Sequence, residues 1–230
     1  MKVPIIDVII PAFNEEKSIV HVIHDIPENL VRDILVCNNN STDRTKEVAL
    51  QAGATVLDET RKGYGSACLK GLAYIENKEI KPDIVVFVDG DYSDYPQQLP
   101  QLIQPILDDD MEMVIGSRAL GKLEKGSMQI QQIFGNWLAT TLIKMIYGYE
   151  FTDLGPFRAV TYEALKKMEM ADKDFGWTVE MQVKAAKLKI KSTEVPVDYR
   201  KRIGVSKVSG TLKGTILAGH KILWTIFKLI

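Results

Sequence analysis

The chain has 230 residues, enough to bury one α/β core, and 46% apolar with 26% charged residues excludes a disordered chain. A formal net charge of −1 excludes a global attraction to nucleic acid, so any basic chemistry must be local. Cys37 and Cys68 lack metal or redox spacing and are expected to be reduced and buried.

No repeat, low-complexity tract or linker divides the chain, so one domain is expected. Val8–Pro11 ends a first strand and Ser18–Ile26 has helical spacing. Asp33–Cys37 reads as a second strand, followed by a helix from Asp43 to Ala52 and a short strand at Ala54–Leu57. After the Gly63-Tyr64-Gly65 turn, Tyr64–Glu76 is helical; Ile84–Val88 is a continuous apolar strand, Leu99–Leu107 a helix and Met113–Gly116 a strand. Helices are expected over Ile130–Tyr147 and Val179–Leu188, and from Leu212 on; Glu194–Val197 reads as an edge strand because it contains Pro196. The alternation predicts a mostly parallel sheet with helices on both faces. Met1–Pro11 lacks a cleavage signal, and no run reaches ~18 uninterrupted apolar residues, so no membrane span is expected.

In open parallel sheets ligands bind beyond the carboxyl ends of the strands. Four polar clusters fall at such ends: Pro11-Ala12-Phe13-Asn14-Glu15-Glu16, Asn38 to Asp43, Asp89-Gly90-Asp91 and Ser117-Arg118. An isolated D-x-D is more often a solvated turn. At the end of a buried strand, Asp89 and Asp91 instead offer oxygen ligands to a hard cation and leave positions open for phosphate oxygens. Asn14, Glu15 and Asp43 can hydrogen-bond a ribose or base, or simply cap helices. The Gly63/Gly65 turn admits either a close ligand or an ordinary loop. Arg200-Lys201-Arg202-Ile203-Gly204-Val205-Ser206-Lys207 carries four cations in eight residues; with Arg118 and Arg158 it can hold phosphates, or it is a solvated charged loop. His21 and His24, without acidic company, read as surface histidines.

These residues resemble family 2 glycosyltransferases of the GT-A fold, most closely the dolichol-phosphate mannosyltransferase-like branch that includes bacterial polyprenyl-phosphate glycosyltransferases. Ile9 to Glu16 is similar to the opening strand motif and Ser41-Thr42-Asp43-Arg44-Thr45 to the segment after strand two; Asp89-Gly90-Asp91 matches the metal motif and Gly116-Ser117-Arg118 the G-S-R. Asp153-Leu154-Gly155-Pro156-Phe157-Arg158 resembles D-x-x-S-G-F-R, and Arg202 to Lys207 resembles R-x-G-x-S-K. The sequence departs from the pattern at Asn38 and Asn39, where many members carry paired aspartates, at Gly155-Pro156, and at Gln131-Gln132, near a basic position in close relatives.

The resemblance implies a GT-A domain over residues 1–210 and a C-terminal amphipathic helix over 211–230. It implies that Pro11, Ala12, Asn14, Glu15, Asn39, Asp43, Gly63, Asp89 and Asp91 cradle a GDP- or UDP-sugar, with Mg²⁺ or Mn²⁺ on Asp89 and Asp91. Arg118, Arg158, Arg202, Ser206 and Lys207 would handle donor or acceptor phosphates, and Asp91, Arg118, Asp153, Arg202 and Lys207 would carry catalysis. The implied reaction is inverting transfer to a polyprenyl phosphate at the cytoplasmic face of the membrane. A phosphate acceptor is largely ionised at pH 7 and needs no strong base, whereas a saccharide hydroxyl would need one, with Asp153 or Glu180 as candidates. Transfer to a saccharide hydroxyl and an inactive nucleotide-sugar-binding scaffold are the competing readings. On a helical projection Leu212, Ile216, Ile222, Leu223, Ile226, Phe227 and Ile230 gather on one side of the last helix, which either docks on lipid or packs on protein.

Overall fold

The computed structural model describes residues 3–204 and 212–230. Seven strands form one sheet: β1 (Ile6–Ala12), β2 (Asp33–Asn38), β3 (Thr55–Asp58), β4 (Ile84–Phe87), β5 (Met113–Ser117), β6 (Arg158–Thr161) and β7 (Ser192–Pro196), in the order β3-β2-β1-β4-β6-β5-β7. Only β6 runs against its neighbours β4 and β5; the other pairings are parallel. Alternate strand residues feed two separate cores. Val8, Ile10, Val36, Val86, Val114 and Ala159 pack under α1 (Ile19–Asp25), α2 (Thr45–Gln51) and α4 (Leu99–Asp108). Ile9, Leu35, Phe87, Ile115 and Val160 pack under α3 (Tyr64–Glu76), α5 (Ile130–Tyr147), α6 (Tyr162–Met168), α7 (Trp177–Leu188) and α8 (Leu212–Lys228). Strands covered on both faces need apolar residues at every position, which is why β1 and β4 read as continuous runs.

The expected elements are present, with boundaries shifted by a residue or two, and Pro196 does lie on the edge strand β7. Strand β6 and helix α6 were not expected. Arg158-Ala159-Val160-Thr161 is four residues long, begins with a charged residue and passes directly into α6, whose N-cap is the Thr161 hydroxyl. The reversed direction of β6 matters for function. Its amino end lies on the same rim as the carboxyl ends of the other strands, so Asp153 to Phe157 reach that rim too.

Helix α8 packs on α5 and α7. Ile226 and Thr225 are buried, the Tyr147 hydroxyl donates to the Ile226 carbonyl, and Lys221 pairs with Asp172 at 2.8 Å. Of the side chains expected on the apolar side, Phe227 and Ile230 face outward, as does Trp224. Within the described residues no helix is long and apolar enough to cross a membrane.

Candidate active site

The rim is built from loops that hold one another. The β1 and β2 ends are stitched together: Asn14 Oδ1 accepts from the Thr42 amide at 2.8 Å, the Asn14 amide donates to the Ser41 hydroxyl at 3.0 Å, and the Glu15 amide donates to the Thr45 hydroxyl at 2.7 Å. Asp43 accepts from the Glu16 and Thr45 amides. Burial would raise the Asp43 carboxyl, but these bonds outweigh it and hold it below its ordinary value. Asn39 accepts from the Gly63 amide at 2.8 Å and donates to the Arg61 carbonyl at 2.6 Å, so its amide shapes the 59–63 loop. The glycines of that loop answer a packing need. A Cβ on Gly63 would stand 2.1 Å from the Lys173 carbonyl oxygen, and one on Gly65 2.0 Å from that of Asp172. The backbone that approaches Gly63 is therefore the chain's own.

Beyond β4, Asp89 and Asp91 flank Gly90, which lies against Pro11 and Ala12. The Tyr64 hydroxyl donates to Asp89 at 2.9 Å. Burial and then the Asp91 charge push the Asp89 carboxyl up to about 7. Asp91 is buried and accepts from the Ser93 amide at 2.9 Å. Three residues on, Asp94 is 1% exposed and neither of its carboxylate oxygens has a hydrogen-bond partner. Burial, reinforced by Asp89 and Asp91, holds it well above the usual carboxylate range. Among the described residues no three His, Cys, Asp or Glu side chains form a complete metal cage. The donor set nonetheless fits a hard divalent cation. Asp89 and Asp91 supply oxygens, Asp94 places a third buried carboxyl without a hydrogen-bond partner close by, and Mg²⁺ or Mn²⁺ sites commonly take their remaining ligands from water and phosphate.

The cations come from the other side. Arg202 reaches Asp91 at 3.0 Å and Glu15 at 3.2 Å, while its Nε is buried and has no acceptor. Arg118 makes a bidentate pair with Asp153, Nε to Oδ2 and Nη2 to Oδ1 both at 2.7 Å, and its amide donates to the same carboxylate at 2.8 Å. Burial alone would lower the Arg118 pKa; the Asp153 charge more than offsets it and keeps the guanidinium protonated. Glu194 on β7 accepts from the Thr152 and Asp153 amides and Gln182 donates to the Asp153 carbonyl, which fixes the pair.

Several residues read from sequence as chemical prove to be structural. Arg158 is fully buried; it donates to the carbonyls of Gly155, Leu154 and Thr178, and burial lowers its pKa to about 10. Its guanidinium has no face toward the rim for a phosphate. Asp153 is committed to Arg118, and buried Glu180 accepts from the amides of Ala171 and Asp172 and pairs with Lys184 at 2.9 Å. Neither carboxylate is available as a base. Ser206 and Lys207 lie outside the described residues. Sequence reasoning missed Tyr64, Asp94 and Tyr199, whose ring lies 5.0 Å from the Arg118 guanidinium. The D-x-D-x-x-D spacing was the available signal for Asp94.

The glycosyl transferase family 2 profile matches residues 7–168, which is most of the chain and spans both the β1 motif and Asp89/Asp91. The chain belongs to glycosyl transferase family 2. This family 2 glycosyltransferase is 33% identical over 216 residues to an uncharacterized glycosyltransferase of Mycobacterium bovis, covering 93% of this chain and 94% of that one. It is 28% identical to the UDP-N-acetylglucosamine–dolichyl-phosphate N-acetylglucosaminyltransferase of Methanococcus voltae, covering 98% and 96%. Its fold matches glucosyl-3-phosphoglycerate synthase from Mycobacterium tuberculosis, crystallised with Mn²⁺, UDP-glucose and phosphoglyceric acid, with a TM-score of 0.78 at 22% identity over 98% of this chain and 79% of that one. The GT-A fold expected from the sequence is therefore present.

Proposed function

We propose that this glycosyltransferase moves a sugar from a nucleoside diphosphate to a polyprenyl phosphate. The observation that carries the reading is that the two carboxylates the sequence offered as a base for a hydroxyl acceptor are both engaged by the chain itself. Asp153 is locked to Arg118 and Glu180 to the 171–172 amides. A sugar hydroxyl must lose a proton as it attacks; a phosphate monoester, with a second pKa of about 6, arrives already ionised. What such a reaction needs is alignment and positive charge, and the rim offers Arg118 and Arg202.

In this reading the β1–β2 loops and the 59–63 loop cradle the nucleotide, and Asp89 and Asp91 hold Mg²⁺ or Mn²⁺. A bound cation supplies neutralisation of the charge that grows on the departing diphosphate. Arg202, its Nε still unpartnered, turns to a phosphate oxygen, while Asp153 keeps Arg118 aimed at the rim. Attack in line with the departing diphosphate gives inversion at the anomeric carbon. The Methanococcus voltae relative, whose name includes dolichyl phosphate, supports a lipid acceptor. So does the outer face of α5, where Ile130, Ile133, Phe134 and Trp137 are more than half exposed, with exposed Lys122 and Lys125 in the segment that precedes the helix. Such a face suits peripheral attachment to a membrane whose lipid carries the acceptor.

The test is nucleoside-diphosphate release from a panel of UDP- and GDP-sugars with Mn²⁺, with and without dolichyl or undecaprenyl phosphate. We expect release that requires the lipid phosphate and stops in chelator. Release driven instead by a saccharide without phosphate overturns the lipid acceptor, and no release with any donor favours a binding scaffold.

A further inference from the structure

The basic segment at residues 200–204 meets the acidic turn through one residue that the functional reading does not use. The Arg200 guanidinium carbon lies 3.4 Å from the centroid of the Tyr92 ring and 4.1 Å from that of Tyr95. Its Nε donates to the Tyr92 carbonyl at 2.7 Å and its Nη2 to the Asp94 carbonyl at 3.0 Å. The Arg200 amide donates to the Ser93 carbonyl at 2.9 Å, and the Ile203 amide to the Asp91 carbonyl, also at 2.9 Å. Behind the stack, the Tyr92 hydroxyl donates to Asp25 at 2.5 Å, and Asp25 lies 3.7 Å from Arg200. Tyr92 itself has φ +63°, a conformation that bulky residues rarely adopt and that persists only when its surroundings hold it.

One arginine thus engages three consecutive carbonyl-bearing positions of the Asp89–Asp94 turn, two by side chain and one by backbone. Arg202 is two residues further on, with its guanidinium on Asp91 and Glu15 and a left-handed glycine, Gly204 at φ +87°, just beyond it. A planar fork that stacks on aromatic faces while donating in its own plane is a task for arginine; an ammonium, which has no plane, cannot combine the two.

We infer that Arg200 is a positioning residue, a clamp that fixes the start of the basic segment to the Asp89–Asp94 turn and so sets where Arg202 meets the metal–diphosphate of the donor. The inference rests on the reading that Arg202 handles a donor phosphate. Arg200 touches no reacting atom. Its effect passes through the placement of Arg202, so the two residues should act as a unit.

The experiment is a double-mutant cycle on the full chain. It is read by the dissociation constant of Mn²⁺–UDP and Mn²⁺–GDP from titration calorimetry, with the melting temperature of each variant alongside. R202A and R200A should each weaken binding about tenfold, the scale of one charge-assisted contact. R200A added to R202A should cost no more than about twofold further, because the residue it positions is already gone. R200K should behave like R200A. If R200A lowers the melting temperature so far that binding cannot be read, Y95A removes one wall of the stack and enters the same cycle with R202A. Binding by R200A equal to that of the parent overturns the clamp. So does an equal loss in both backgrounds, which is the mark of a structural role independent of Arg202. R202A binding like the parent, or a parent that binds neither nucleotide, instead overturns the functional reading on which the clamp stands.

Discussion

Buried Asp7 at the amino rim of the sheet is treated in the opposite way to Asp89 and Asp94 at the carboxyl rim. At the amino rim, fully buried Asp7 is answered by Arg32 at 2.6 Å and Lys78 at 2.8 Å. At the carboxyl rim, Asp94 has no partner and Asp89 is raised to about 7. Ionising a buried carboxyl of this kind is costly, and the pair marks a place where a cation is expected to arrive. The sign of the pH effect follows. Asp89 in the folded protein holds its proton far more tightly than in the unfolded chain, where its pKa is about 3.9. That contribution to stability is full at low pH and is lost as pH rises through 7. A divalent cation replaces the proton, so the rise in melting temperature on adding Mg²⁺ or Mn²⁺ should be larger at pH 8 than at pH 6. Asp89→Asn should abolish both the rise and its pH dependence, and should remove turnover while the fold survives; a pH-independent rise in the parent counts against the metal role. A second expectation concerns Arg118, whose side chain is only 11% exposed. Asp153→Ala leaves a buried guanidinium unpaired, a loss of about 3–5 kcal/mol in chemical denaturation. A loss below 1 kcal/mol would mean that the pair is dispensable for folding.

At the scale of elements, one close fit is between the Gly63–Ser66 turn and the 172–174 loop. The Gly65 and Ser66 amides donate to the Asp174 and Lys173 carbonyls at 3.1 and 2.9 Å, and Tyr64 just before them reaches Asp89. Gly65→Ala would drive a Cβ to 2.0 Å from the Asp172 carbonyl oxygen. It should cost about 1–3 kcal/mol and lower donor affinity by displacing Tyr64, as read by denaturation and by nucleotide titration. Parent-like values for both would show that the 172–174 loop yields freely. This contact also shows where sequence reading stops. The strands, and helices such as α3 and α5, were legible because apolar periodicity records burial directly, and the D-x-D turn was legible because it follows such a strand. Strand β6 was not, because four residues with a buried arginine carry no period. Nor was the work of Gly63, Asp153 or Glu180, whose decisive neighbours lie well along the chain: the Lys173 carbonyl for Gly63, Arg118 for Asp153 and the Asp172 amide for Glu180. A turn glycine and a free carboxylate look the same in sequence whether they face a ligand or the chain's own backbone.

At the scale of the molecule, exposed apolar side chains concentrate on two helices. On α5, Ile130, Ile133, Phe134 and Trp137 recur at helical spacing, with Met145 further along; on α8, Trp224 and Phe227 are exposed, as is Ile230 just beyond it, while Ile226 is wholly buried. The helix that sequence pattern singled out for lipid thus buries Ile226, close to its C-terminal end, in its own domain, and cutting it away would open the core. The better probe of membrane contact is the surface alone. Replacing Ile130, Phe134 and Trp137 together by serine should move the protein from the pellet to the supernatant in co-sedimentation with anionic liposomes, with an unchanged melting temperature. Equal sedimentation of parent and variant would place the contact elsewhere or nowhere.

The reversed strand has one more consequence. Because β5 leaves the rim at Ser117 and β6 starts from it at Arg158, the whole of residues 119–152, α5 included, departs from and returns to one place. Its ends are tied side by side, the Ser117 and Thr152 hydroxyls 2.7 Å apart and Arg118 against Asp153. Such a segment is a cassette. Between those two fixed posts, length and chemistry can change away from the buried side of α5, where Ala139 and Ile143 sit in the core, without altering the register of any strand. The sheet can keep one donor chemistry while the inserted stretch is exchanged to address a different acceptor.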